Sequence, residues 1–127
     1  MATVLIVDDD RLVREMLCDL LEEQHTCHMA ATAEAALTLM QEENYDVVLS
    51  DIAMPELSGI DLLGLIRANY PTTPVIVITG SMLGQEAEEL FKQGAFDYLM
   101  KPLQLDEIER SVSRALQRRQ MLLSQMR

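Results

Sequence analysis

The feature that most constrains this chain is a regular alternation of short apolar runs with segments of helical period, repeated five times. Val4-Leu5-Ile6-Val7 is apolar throughout and reads as a buried strand. Leu12, Met16, Leu17, Leu20 and Leu21 then recur at helical spacing. Residues Cys27 to Ala31 form a weaker strand, and Ala33 to Glu43 a helix with Ala36, Leu37 and Met40 inward. Val47-Val48-Leu49 is the third strand, followed by a helix marked by Ile60, Leu63 and Ile66 that stops before Tyr70-Pro71. Val75-Ile76-Val77-Ile78 is β-branched at every position. A helix over Gln85 to Gln93 ends at Gly94, Phe96 to Met100 is the fifth strand, and a long helix starts near Leu105. Strands that are apolar throughout and separated by helices belong in a parallel sheet covered on both faces. With 127 residues and no interdomain linker, the expectation is one α/β domain, doubly wound, with a five-stranded parallel sheet and five helices.

Such folds place their chemistry at the carboxyl ends of the strands. Strand one ends in Asp8-Asp9-Asp10, strand three in Ser50-Asp51, strand four in Thr79-Gly80 and strand five in Lys101-Pro102. Acids from two strands and a lysine from a third thus converge on one edge. Carboxylates about 5 Å apart repel by roughly 3 kcal/mol per pair at an effective dielectric of about 20. A fold keeps such a pair either with a raised pKa or with a cation. Mg2+ suits the second case, since it takes hard oxygen ligands and keeps places for water and phosphate oxygens. A lysine beside the acids is a counter-charge at rest and a ligand for a phosphoryl group once one arrives. A threonine hydroxyl at the neighbouring strand end adds a hydrogen bond. The assembly suits phosphoryl transfer with a protein carboxylate as nucleophile. Asp10 reads as a helix N-cap rather than a ligand, and Gly59 as a turn or helix-start residue.

Charge and composition exclude other classes. The net charge of −11 argues against nucleic-acid binding by the chain itself. It is uneven: residues 1–103 carry 5 basic and 18 acidic residues, residues 104–127 carry 5 basic and 3 acidic. No apolar run approaches the roughly 18 residues of a membrane span, and the start of the chain has no signal-peptide pattern, so a cytoplasmic protein is expected. Cys18 and Cys27 make no disulfide framework, and Cys27-His28 with His25 matches no zinc spacing. The pattern GxxxxGK[ST] is absent.

Val7-Asp8-Asp9, Asp51-Ile52-Ala53-Met54-Pro55 followed by Gly59, Thr79 with a small residue after it, Tyr98, and Lys101-Pro102 occur in one order at set spacings. Together, from about Thr3 to Ala115, they resemble the receiver domains of two-component response regulators. The resemblance implies a flavodoxin-like receiver fold. It implies that Asp51 accepts a phosphoryl group from a sensor histidine kinase or phosphotransfer protein, the chain being a phosphoacceptor that assists its own reaction rather than an enzyme. It implies that Asp8, Asp9, Asp51 and the backbone carbonyl of Ala53 hold Mg2+, Asp8 mostly through water. Thr79 and Lys101 would bind the phosphoryl oxygens, and the Lys101–Pro102 peptide would be cis. Thr79 and Tyr98 would form a switch that alters the surface of helix four, strand five and helix five. The chain departs from the pattern at Gly80 and Ser81, where alanine is common first. Ala53 offers no polar side chain to steer a hydrolytic water.

Two alternatives use the same residues. In a small haloacid-dehalogenase-type phosphatase, Asp8 would be the nucleophile and Asp10 the general acid. That reading leaves Asp51 without a role. In a pseudo-receiver, the site would never be phosphorylated. The last helix adds a further expectation: Leu105, Ile108, Val112, Ala115, Leu122 and Met126 fall on three- and four-residue steps, with Arg119 interrupting the series. We expect a receiver domain over residues 1–117. Residues 118–127 would extend the last helix toward an output domain or a weak homodimer.

Overall fold

The computed structural model describes residues 2–54, 57–80 and 84–126. Pro55 and Ser81, which the sequence reading singled out, lie outside the described residues. The apolar runs form β1 (Thr3–Val7), β2 (Thr26–Ala30), β3 (Val47–Asp51), β4 (Val75–Thr79) and β5 (Asp97–Met100). They pair in parallel in the order β2-β1-β3-β4-β5. Between them run α1 (Arg11–Leu21), α2 (Ala33–Glu42), α3 (Gly59–Asn69) and α4 (Gly84–Lys92), and α5 (Leu105–Gln125) follows β5. This is the doubly wound α/β fold that the alternation predicts.

Side chains alternate across each strand, so one sheet feeds two cores. Leu5, Val7, Val48, Val75 and Val77 pack with Ala36 and Met40 of α2, Leu62, Leu63 and Ile66 of α3, and Leu90 of α4. Val4, Ile6, Val47, Leu49, Ile76 and Ile78 pack on the other face with Leu17, Cys18 and Leu21 of α1, and Ile108, Val112 and Ala115 of α5. The buried stripe of α1 is rotated from the expected one. Leu17, Cys18 and Leu21 face the sheet, while Leu12 is 76% and Met16 39% exposed. At 100° per residue, Leu12 and Met16 fall toward the opposite face of the helix from Leu17, Cys18 and Leu21.

Local signals set the helix ends. Asp10 caps α1 by accepting from the backbone N–H of Leu12 at 2.9 Å. Ser58 and Asp61 form a reciprocal capping box at the start of α3. After α4, Gly94 has φ +101°, and the Gly94 and Ala95 amides donate to the carbonyls of Phe91 and Leu90. That is a Schellman termination, which favours glycine at the left-handed position. Among the described residues no helix is long and apolar enough to cross a membrane.

α5 stays attached to the sheet further along its length than its apolar spacing suggests. Arg119 donates from Nε to Asp46 Oδ1 at 3.0 Å, and from Nη1 to the carbonyl and hydroxyl of Thr72 at 3.2 and 2.9 Å. Asp46 Oδ2 in turn accepts the Thr3 amide at 2.8 Å. The residue that interrupts the apolar series therefore ties α5 to the amino-terminal end of the sheet.

Candidate functional site

The winding reverses between β1 and β3: from β1 the chain passes to β2 on one side, while β3, β4 and β5 extend to the other. Crevices form at the carboxyl ends of strands at such a reversal. Asp8 follows β1 directly and is fully buried, Asp9 beside it is exposed, and Asp51 closes β3 at 5% exposure. One carboxylate oxygen from each of the three lies within 4.8 Å of the others. Lys101, just past β5, places Nζ 3.6 Å from Asp51 Oδ2. Its amide donates to the Thr79 carbonyl at 2.8 Å, which ties it to the end of β4. Thr79 is buried there. The Lys101–Pro102 peptide is cis.

The loop after β3 folds back over the acid that precedes it. The Ala53 amide donates to Asp51 Oδ1 at 3.1 Å, and Met54 is buried in the core beneath. Gly59 presses its backbone against this segment, and its amide donates to the Ile52 carbonyl. A Cβ at Gly59 would lie 2.2 Å from the Asp51 carbonyl oxygen, so no side chain fits there.

The electrostatics of the three acids are unbalanced. Burial pushes the Asp8 carboxyl up to about 6, with Asp51 and Asp9 adding to the rise, while the hydrogen bond from the Asp10 amide and the charge of Lys101 oppose it. Asp8 Oδ1 accepts that bond at 2.8 Å; Oδ2 is buried with no hydrogen-bond partner among the described residues. An orphaned buried carboxylate oxygen beside two further carboxylates is a set of donors that a hard divalent cation satisfies. The residues present fit a magnesium ion.

The other residues singled out by sequence fall apart from this edge. Asp10 uses its carboxylate as the cap of α1 rather than joining the cluster. Tyr98 pairs with Val77 rather than Thr79, so it lies one pleat below the strand end, half-buried and edge-on to Phe91 at 5.7 Å. Its relation to Thr79 is along one face of two adjacent strands, not between two strand ends. His28 contacts the Tyr45 hydroxyl at 2.7 Å, and burial pushes the Cys27 thiol up to about 12. Among the described residues the three aspartates are the one metal-competent group of acidic, histidine and cysteine side chains. One residue at the edge escaped the sequence reading. Arg14 Nη1 donates to the Asp8 carbonyl at 2.7 Å, and a helix-borne arginine six residues after an acid gives no sequence signal of such a contact.

Comparison with known proteins agrees with this geometry. The family model of the response regulator receiver domain matches residues 4–113. Response regulator protein FleR of Pseudomonas aeruginosa is 45% identical over 81% of this chain and 22% of its own length. Regulatory protein AtoC of Escherichia coli is 44% identical over 90% of this chain and 25% of its own length. The chain therefore spans about a quarter of the length of these curated relatives. Among solved structures, a response regulator receiver domain protein from Clostridium thermocellum superposes with a TM-score of 0.90 at 31% identity, covering 96% of this chain and 99% of that one. A match over 110 consecutive positions, with the acids at the switch point and the lysine opposite, leaves one family: the chain belongs to the response regulator receiver domains, the phosphoacceptor switches of two-component signalling.

Proposed function

We propose that Asp51 is the phosphoacceptor of this switch, taking a phosphoryl group from a phosphohistidine of a sensor histidine kinase or phosphotransfer protein. The observation that carries this reading is the position of Asp51 between Asp8 and Asp9 on one side and the Lys101 ammonium 3.6 Å away on the other. A carboxylate oxygen of Asp51 attacks phosphorus, the bond to the donor nitrogen breaks, and an acyl phosphate results. Lys101 neutralises part of the charge spread over the phosphoryl oxygens, and the Thr79 hydroxyl donates to one of them. The Ala53 amide holds Asp51 Oδ1, which fixes the carboxylate plane and leaves Oδ2 toward Lys101. Asp8, Asp9, Asp51 and the Ala53 carbonyl would hold Mg2+. Bound there, the ion supplies charge neutralisation and aligned coordination places for phosphoryl oxygens.

The outlet of the signal is the face of α4, β5 and α5, with Thr79 and Tyr98 as the switch pair. We read residues 1–117 as the receiver domain and 118–127 as an extension of α5. The exposed Met121, Leu123 and Met126 give that extension an apolar surface suited to a fused output domain or a second copy. Exchange with a histidine kinase places the chain in the cytoplasm.

The test uses the chain with Mg2+ and acetyl phosphate. Mass spectrometry is expected to locate the phosphoryl group on Asp51, and Asp51→Asn to abolish uptake while leaving the circular dichroism spectrum unchanged. A label on Asp8 would favour the phosphatase chemistry instead.

A further inference from the structure

Arg14 stands outside the residues given a role above. It is half-buried near the start of α1, and its Nη1 donates to the backbone carbonyl of Asp8 at 2.7 Å. That is a short, charge-assisted bond. Among the described residues no ion pair joins Arg14 to Asp8, Asp9 or Asp51, so its contact with the edge is through main chain. The Asp8 amide donates to the Ala30 carbonyl at 3.2 Å, and Asp8 Oδ1 accepts the Asp10 amide. Asp8 is thus fixed at its amide, its carbonyl and one carboxylate oxygen, while Oδ2 stays unpartnered. Arg14 is carried by α1, whose cap is Asp10. Its bond therefore braces the short link from β1 to α1, across the two acids that the link presents.

We propose that Arg14 is a positioning residue for the acidic edge: it fixes the main chain at Asp8 and so holds the Asp8 and Asp9 carboxylates at a separation that a divalent cation can bridge. The inference rests on reading this edge as a magnesium site. Charge and position predict opposite signs. Removing a cation near three acids strengthens Mg2+ binding by relieving repulsion. Removing a brace weakens it, because the acids must then be ordered when the ion binds. Support beyond the metal ligands typically changes affinity by about ten- to a hundredfold.

The experiment titrates Mg2+ into the full chain, the Arg14→Gln variant and the Arg14→Lys variant by calorimetry. It also measures backbone amide exchange in all three without metal. Arg14→Gln is expected to weaken Mg2+ binding about tenfold. Arg14→Lys, which keeps one donor, is expected to fall between that variant and the parent. Without metal, the Asp9 and Asp10 amides should exchange faster in Arg14→Gln while β4 amides keep the parent's protection, which shows an intact fold. Arg14→Gln binding Mg2+ as tightly as the parent, or tighter, overturns the proposal. So do Asp9 and Asp10 amides that exchange at the parent's rate. A parent chain that binds no Mg2+, with amides that still respond to the substitution, rejects the magnesium site and supports the brace.

Discussion

The buried Asp8 carboxyl, pushed up to about 6 from an ordinary 3.8, binds its proton more tightly in the folded chain than in the unfolded one. Folding is therefore favoured where that proton is on. Stability contributed by the protonated group is full below about 4, falls as pH rises through about 6, and is gone above it. Asp8→Asn removes the penalty. In metal-free buffer at pH 7.5 the variant is expected to be more stable than the parent by on the order of 1–3 kcal/mol, with the gain shrinking toward pH 4. Urea midpoints at the two pH values check this, and equal midpoints at pH 7.5 would sink it. Added Mg2+ should stabilise the parent and leave the variant almost unmoved, since only a folded site that binds the ion gains by mass action. The acids themselves were legible in the sequence because a parallel strand delivers its next residue to a fixed edge. Arg14 was not, because a hydrogen bond to a backbone carbonyl leaves no mark on residue type.

At the scale of elements, the strands were legible to within a residue or two and the faces of the helices less so. Val75 to Thr79 could hardly be anything else, being β-branched and bounded by Pro74 and Gly80. The stripe of α1 was misread because leucines and methionines occur around much of that helix, and only packing decides which of them turn inward. The end of α5 shows the same limit. Its apolar residues continue past Ala115, yet a charged residue, Arg119, makes the contact that ties it down. Its side chain is only 14% exposed and pairs with Asp46. Arg119→Ala is expected to destabilise the chain by about 0.5–1.5 kcal/mol, because it removes the hydrogen bonds to Asp46 and to the Thr72 carbonyl and hydroxyl. Amide exchange in residues 120–125 should rise with it. Urea unfolding at the parent's midpoint, with unchanged exchange at the end of α5, would show the clasp to be idle.

Across the whole molecule, the acidic edge and the face of α4, β5 and α5 share β4. Thr79 ends that strand at the site, and Val77, two residues back, pairs with Tyr98. Two residues of strand span roughly 7 Å, so a hydroxyl drawn toward a phosphoryl oxygen vacates space within reach of the tyrosine ring. Tyr98 is half-buried and rests against Phe91 of α4, so its ring cannot move without altering the contact between β5 and α4. Under the proposed function, a phosphoryl group on Asp51 would add charge and acceptor oxygens at one end of this chain of contacts, and the outer face would change shape at the other. The coupling should be on the order of 1–3 kcal/mol, the usual range for sites joined through one packed element. Thr79→Ala leaves Asp51, Lys101 and the acids in place, so the variant is expected to accept a phosphoryl group. It removes the hydroxyl that the proposed switch requires. With Mg2+ and beryllofluoride, a phosphoryl mimic, the parent should show NMR shift changes at Tyr98 and Phe91 that fall by more than half in Thr79→Ala, while changes beside Asp51 persist. Equal changes at Tyr98 in both proteins would mean that the signal leaves the site by another route than the end of β4.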